Sequence, residues 1–173
     1  EGPLWHHTEK RLYWLDIPNG KIFRYDPQTG LHEQCHEGNQ IGGFTIQADG
    51  SLLLFMDKCM VAVWRDGKID FIIDGIRGEE AASFNDVIAD PKGRVFCGTT
   101  PTSERLGRVY RLDLDGTISM VLDKIELANG MGFTPDSKNM YLTDSNAKNI
   151  YIFDYDEGSG SIYNQRIFLN TTD

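Results

Sequence analysis

The chain has 173 residues, of which 40% are hydrophobic and 11% aromatic, and its formal net charge at pH 7 is −9. This size and composition are those of a folded domain rather than of a disordered chain. The acidic balance, without a cluster of lysine or arginine, argues against nucleic-acid binding. No stretch reaches the roughly 18 apolar residues that cross a membrane, so no membrane partner is predicted.

The three cysteines indicate neither a disulfide framework nor a zinc site. Cys35, Cys59 and Cys97 are odd in number and form no CxxC pair,. Free thiols fit a reducing compartment, and we expect a cytoplasmic location. The sequence starts at Glu1 rather than at Met, so an upstream segment, including a removed leader, stays open.

Short strands bounded by turn residues follow one another along the whole chain. The first, at residues 11–17, is aromatic and aliphatic and ends at Pro18-Asn-Gly20; residues 21–25 alternate and also end in a Pro- and Gly-containing turn. Runs of this kind predict antiparallel hairpins, and no amphipathic helix is predicted. The further predicted strands are 51–56, 61–64, 69–73, 95–97, 109–112, 140–142 and 150–153.

Four ten-residue segments align without gaps at a period of about 41–44 residues,. In each, a strand-like half leads through a polar turn into a second strand. A period of about 40–50 residues with four strands is typical of a propeller blade, whereas a β-sandwich predicts no fixed register. We therefore predict an all-β fold, a β-propeller that forms a single domain over residues 1–173. Its four blade repeats start near residues 1, 42, 85 and 129.

The first position of the aligned segments carries the candidate chemistry. It holds Glu1, Gly42, Asn85 and Asn129. Because the innermost strands of a propeller line one channel, these residues are expected to converge. One carboxylate and two amides suit calcium, and also manganese or magnesium, better than zinc, which prefers Cys and His. Taken singly, each residue is also typical of a turn, so a structural role stays open.

Several other polar residues favour structural roles. His6 and His7 are adjacent and fall in the polar turn, so they are predicted to lie at the surface and on opposite faces. Asp16, Asp57 and Asp144 recur at the ends of second strands, where hydrogen bonding in blade turns is favoured over a second ion. No GxSxG motif surrounds any serine, which argues against a serine nucleophile.

Three sequence landmarks occur in order along the chain. They are EGPLW at residues 1–5 with RLYWLD at 11–16, FND at 84–86 with DPKGR at 90–94, and NGMGF at 129–133 with YLTDS at 141–145. Together they resemble the regucalcin (senescence-marker protein)/gluconolactonase/luciferin-regenerating-enzyme family, over essentially the whole chain.

The resemblance implies a six-bladed propeller, of which this chain covers about four blades, with one divalent metal ion at the channel mouth. The family's metal-binding Glu falls on Glu1 and its metal-binding Asn on Asn129. Asn85 corresponds to a residue that contacts substrate and, in some relatives, the metal. Calcium is the expected ion, with zinc, manganese and magnesium as alternatives. Members hydrolyse lactones, chiefly sugar lactones such as gluconolactone.

Two departures from the family pattern affect these expectations. The family's third ligand, an Asp that is also its presumed base, belongs to a Pro-Asp-Gly landmark expected beyond residue 173. No catalytic residue is therefore predicted within the chain, and the chain alone is expected to be inactive. Ser83 stands where sugar lactonases often carry a substrate-binding Arg, which weakens the assignment to gluconolactone.

The leading prediction is a divalent-metal-dependent hydrolase of lactones, in which metal-activated water attacks the ester carbonyl of a small-molecule substrate. The alternative is a non-catalytic calcium-binding or regulatory propeller that uses the same Glu1 and Asn129. A protein-interaction propeller without oxygen ligands in its channel is a third possibility.

Overall fold

The computed structural model describes residues 1–172, and Asp173 lies outside the described residues. We number the strands in chain order. They are β1 (Leu4–His6), β2 (Arg11–Asp16), β3 (Lys21–Tyr25), β4 (His32–Glu37), β5 (Ile41–Ile46), β6 (Leu52–Met56), β7 (Val61–Arg65), β8 (Lys68–Ile73), β9 (Phe84–Ala89), β10 (Val95–Thr99), β11 (Gly107–Leu112), β12 (Ile118–Ile125), β13 (Ala128–Phe133), β14 (Asn139–Asp144), β15 (Asn149–Asp156) and β16 (Ser161–Asn170).

Each run of four consecutive strands forms one antiparallel sheet, with the strands in sequential order. We call them sheet 1 (β1–β4), sheet 2 (β5–β8), sheet 3 (β9–β12) and sheet 4 (β13–β16). This confirms the predicted all-β fold and its four blade repeats. The chain divides into two compact units, one ending at Phe84 with sheets 1 and 2 and the other beginning at Asn85 with sheets 3 and 4. That the whole chain forms one domain stays a prediction.

No helix that could cross a membrane, being both long and apolar enough, occurs within residues 1–172.

Each unit has a hydrophobic core to which both of its sheets contribute. On β2, alternate side chains are buried because a strand turns successive residues to opposite faces,. Burial of such apolar side chains is the main force that holds sheet against sheet. In the first unit the core consists of Tyr13, Leu15, Ile22, Ile41, Phe44, Leu52, Leu54, Met56, Met60, Ala62 and Trp64. In the second it consists of Phe96, Val109, Ile125, Ala128, Met140, Leu142, Phe153 and Tyr155.

The turn between the first two strands shows that the sequence repeat is also a structural repeat. In sheets 2, 3 and 4 the carbonyl that opens this turn accepts a backbone N–H three residues later, at 2.9–3.0 Å, and in sheet 1 it accepts one four residues later, at 2.7 Å. The residues that open the turn are His6, Gln47, Asp90 and Thr134. Each follows the aligned position of its sheet by five residues. The four aligned residues therefore occupy equivalent places in the four sheets.

His6 corrects one expectation, because its side chain is only 2% exposed. The Nδ1 atom of its ring accepts the backbone N–H of Glu9 at 3.1 Å, so Nε2 carries the proton and donates to Gly50 O at 2.9 Å. The ring thus joins the turn of sheet 1 to the turn of sheet 2. The prediction for His6 was wrong because it assumed that every side chain of the polar turn is solvated. The neighbouring His7 is exposed, as expected.

A buried arginine joins sheets 3 and 4 inside the second unit. Arg94 Nε donates to Asp90 Oδ2 at 2.6 Å, and the exposed fractions of the two side chains are 9% and 0%. The guanidinium also donates to Glu157 O at 2.6 Å, to Gly158 O at 3.1 Å and to Tyr155 Oη at 3.1 Å. Burial, followed by the hydrogen bond to Asp90, raises the pKa of Tyr155 to about 12. The cluster therefore satisfies a buried charge with partners from two sheets.

We predict that Arg94→Met destabilises the protein by about 3 kcal/mol, because it leaves the Asp90 carboxylate buried without its cation. Urea unfolding would measure the change. Arg166→Met is the matched control, since Arg166 pairs with Asp154 at the surface, and its effect should be far smaller. Equal shifts for the two variants would contradict the assigned role of Arg94.

The cysteines are predicted to be slow to react in the folded protein. Cys59 and Cys97 are buried, and burial raises the pKa of the half-buried Cys35 thiol to about 11. At pH 8 its thiolate fraction should be about a hundredfold below that of an ordinary thiol, and the thiolate is the reactive form. Alkylation rates in buffer and in denaturant would test this. Modification of Cys35 at the rate of a free thiol would contradict it.

Candidate functional site

Asn129 lies where sheet 4 departs from regular pairing. Asn129 pairs with Thr143 and Met131 pairs with Leu142, which leaves Gly130 without a partner residue in the ladder. Gly130 has a φ of +52°, and a Cβ added there would lie 3.0 Å from Thr143 Oγ1. Such bulges bend a strand and redirect its side chains. The Asn129 side chain is exposed, and its Oδ1 accepts the Gly130 N–H at 3.2 Å, which leaves a second lone pair open,.

Asn85 lies on β9, the first strand of sheet 3, and its side chain contacts the residue directly before Asn129. Asn85 Nδ2 donates to Ala128 O at 2.9 Å. This bond fixes which end of the amide is the donor. Oδ1 faces the other way, and it has no hydrogen-bond partner among the described residues. The structure therefore brings two of the three predicted ligands into one neighbourhood within the second unit.

Asp144, at the end of β14, holds the backbone that leads into Asn129. Its side chain is 2% exposed, and its two carboxylate oxygens accept the N–H groups of Glu126 and Leu127, each at 2.9 Å. Beyond the bulge, Thr143 Oγ1 donates to Gly130 O at 3.3 Å. The predicted hydrogen-bonding role of Asp144 is confirmed, and its partners are the residues that precede a candidate ligand.

Glu1 belongs to the first unit, and its backbone extends the pairing of sheet 1. Leu15 N donates to Glu1 O at 2.9 Å, and the backbone nitrogen of Glu1 donates to Leu15 O at 2.5 Å. The Glu1 side chain is exposed, and its carboxylate makes no hydrogen bond or ion pair within residues 1–172. Its oxygens are therefore open to a ligand. That Glu1 and Asn129 converge on one ion stays a prediction.

Comparison of the sheets corrects the grouping of the three strand-end acids. Ala128 pairs with Asp144, but the corresponding residue of sheet 2, Ile41, pairs with Met56 rather than with Asp57. The reason is that the first turn of sheet 2 is one residue shorter than that of sheet 4. Asp16 and Asp144 occupy equivalent places, and the Asp16 carboxylate accepts the side-chain amide of Asn19.

Sheet 2 has no oxygen-bearing side chain at the aligned position and no acid at the place that Asp144 occupies in sheet 4. Its aligned residue, Gly42, has no side chain, and Met56 stands at the place of Asp144. A carboxylate occupies this place in sheets 1 and 4, whereas sheet 3, whose aligned residue is Asn85, has Thr99 and Thr100 at the end of β10. Sequence spacing alone hid this difference, because Asp16, Asp57 and Asp144 all follow their aligned residue by the same interval.

The open donors of the candidate site fit a hard cation. Within the second unit they are the amide oxygens of Asn85 and Asn129, a ligand type that calcium accepts. The Glu1 carboxylate of the first unit is a ligand type that calcium also accepts. The described residues contain no group of three or more His, Cys, Asp or Glu that could hold a metal ion. A cation site here would therefore depend on amide oxygens.

Ser83, directly before β9, forms a backbone bridge with Asp57.

Comparisons with known proteins agree with the four-sheet architecture and its landmarks. The sequence profile of the SMP-30/Gluconolactonase/LRE-like region matches residues 1–173. The chain belongs to this family. The luciferin-regenerating enzyme superposes with a TM-score of 0.89 at 26% sequence identity, over 98% of this chain and 60% of that one. Regucalcin from Agrobacterium tumefaciens superposes with a TM-score of 0.88 at 18% identity, over 99% of this chain and 59% of that one, which supports the propeller fold.

Two curated proteins are similar in sequence. Pentonolactonase XacC from Haloferax volcanii is 46% identical over 99% of this chain and 58% of its own length. A putative sugar lactone lactonase, YvrE, from Bacillus subtilis is 29% identical over 95% of this chain and 57% of its own length. The chain thus spans less than two thirds of the curated relatives that it matches.

We predict that Gly130→Ala destabilises sheet 4 by about 1 kcal/mol or more, because an L side chain at positive φ is strained. Gly132→Ala is the matched control on the same strand, since nothing lies within 4 Å of its Cβ position and its φ is not positive. Urea unfolding of both variants would compare the costs. A Gly130→Ala variant as stable as Gly132→Ala would show that the bulge does not need glycine.

Proposed function

We propose that the complete protein hydrolyses sugar lactones with the help of a divalent cation, and that Glu1 and Asn129 supply oxygen ligands. Family membership and the similarity to a pentonolactonase support the reaction class. A relative from Pseudomonas putida, 27% identical over 91% of this chain, is a 6-deoxy-6-sulfogluconolactonase, so relatives differ in the sugar that they accept. We propose an aldonolactone as the substrate, with pentonolactones as the first choice.

One observation carries the proposal. The Asn85 amide bonds to Ala128 O, so two residues that occupy equivalent places in sheets 3 and 4 lie beside each other. Both keep an oxygen lone pair that no described residue uses. Calcium binds through carboxylate and amide oxygens of this kind, and we propose the exposed Glu1 carboxylate as a further ligand.

When bound, the ion would supply Lewis-acid stabilisation of the lactone carbonyl oxygen and would lower the pKa of a bound water. Glu1 contributes the negative charge that partly neutralises the cation, and Asn129 contributes its free Oδ1 lone pair. Asn85 donates one of its two amide N–H bonds to Ala128 O, and its Oδ1 would accept a hydrogen bond that orients a substrate hydroxyl. Water adds to the carbonyl carbon, the ring C–O bond breaks, and the ring oxygen leaves as a hydroxyl. We assign the acceptor of the water proton to none of the described residues.

The proposal predicts that hydrolysis depends on metal and on these ligands. The complete protein should hydrolyse a panel of pentono- and gluconolactones, should lose activity in EDTA and should recover it when calcium or manganese is added back. Glu1→Gln and Asn129→Ala should each lower kcat/KM at least about tenfold, since a lost ligand weakens both cation binding and charge stabilisation. Release of the acid product can be followed with a pH indicator.

Asn39→Ala is the control, because Asn39 is exposed and makes no side-chain hydrogen bond within the described residues. Hydrolysis that survives EDTA, or Glu1 and Asn129 variants as active as Asn39→Ala, would contradict the proposal. Tight calcium binding without turnover of any lactone would instead support the non-catalytic calcium-binding function.

A further inference from the structure

We propose that Asp144 is a positioning residue for the cation ligand Asn129. The inference rests on the proposed function, because it takes Asn129 as a ligand. It concerns a side chain that does not itself reach the candidate ion. Asp144 would act through the backbone that sets the direction of the Asn129 amide.

The first step is the geometry of the strand entry. Residues 126 and 127 precede β13 and have no ladder partner of their own, so their N–H groups need other acceptors. The two oxygens of Asp144 supply both, at 2.9 Å each, from a side chain that is 2% exposed. Charge-assisted hydrogen bonds of this kind are short and strong. They fix the chain two residues before Asn129.

The second step is that the neighbouring backbone is held from other sides as well. Ser145 N donates to Leu127 O at 3.0 Å, and Asn85 Nδ2 donates to Ala128 O at 2.9 Å. After the ligand, Thr143 Oγ1 donates to Gly130 O. Since Gly130 has no partner residue in the ladder, these bonds hold the backbone on both sides of Asn129 and so limit where its side chain can point.

The third step compares the sheets at the place that Asp144 occupies in sheet 4. A generic turn residue should recur at the equivalent place in every sheet. Sheet 2, whose aligned residue Gly42 cannot ligate, has the apolar Met56 there. Sheet 1, whose aligned residue is Glu1, has Asp16. Sheet 3, whose aligned residue is Asn85, has Thr99 and Thr100 at the end of β10 in place of an acid. The carboxylate is therefore particular to sheets 1 and 4, and in sheet 4 it holds the backbone that precedes the aligned residue, whereas Asp16 bonds the Asn19 side chain.

The test uses the complete protein and a calorimetric titration with calcium or manganese ions. We expect Asp144→Asn to weaken cation binding 10- to 100-fold, the usual cost of losing an outer support of a metal ligand. Amide hydrogen exchange should rise at residues 126–130. Asp154→Asn is the matched control, because Asp154 is a carboxylate of the same sheet that bonds Asn164 and Arg166 at the surface. It should leave the affinity unchanged.

A double-mutant cycle separates positioning from general destabilisation. If Asp144 acts through Asn129, Asp144→Asn should add little to the loss already caused by Asn129→Ala. Fully additive losses would overturn the inference. Should Asp144→Asn fail to fold, Thr143→Val removes the bond to Gly130 O with almost no change of shape, and it should weaken binding about threefold or more.

Cation binding by the unmodified protein separates a failure of the proposed function from a failure of the positioning role of Asp144. If it binds no divalent cation, both are overturned. If it binds the cation and Asp144→Asn binds with the same affinity as the unmodified protein, the positioning role alone is overturned.

Discussion

The register between the first and second strands of each sheet is the constraint on which the candidate site depends. The turn that opens at His6, Gln47, Asp90 or Thr134 fixes this register through backbone hydrogen bonds, one in sheet 1 and two in each of the other sheets. Because side chains alternate along a strand, a slip by one residue would turn each of them to the other face. The same turn therefore determines the burial of the core residues and the direction of the side chains five residues earlier.

Buried polar contacts between neighbouring sheets hold this register in place within each unit. In the first unit, the buried His6 ring reaches the Gly50 carbonyl of the next sheet. In the second, Arg94 joins Asp90 to the far end of sheet 4. Each of these contacts involves the residue that opens a turn, His6 in the first unit and Asp90 in the second. Sheets made of short strands thus obtain directional links in addition to non-directional apolar packing.

The sequence predicted most of the strands and their repeat, because hydrophobic alternation and turn residues recur together, but it did not single out β12 or β16. It also singled out Asn85 and Asn129 through their shared position. It could not show that the Asn85 amide reaches Ala128, that His6 is buried, or that Asp57 is offset from Asp16 and Asp144. Each of these depends on contacts between strands or on the length of one turn. The two hydrogen bonds that Asp144 accepts from the N–H groups of Glu126 and Leu127 likewise appear only in the folded chain.

The central claim is that oxygens from equivalent places in different sheets meet around one divalent cation. A crystal structure of the complete protein, grown with manganese and measured at a wavelength where manganese scatters anomalously, tests it directly. We predict one anomalous peak at about 2.0–2.5 Å from a Glu1 carboxylate oxygen and from Asn129 Oδ1, the range expected for oxygen ligands. A peak bound elsewhere, with Glu1 and Asn129 turned away from each other, would contradict the claim.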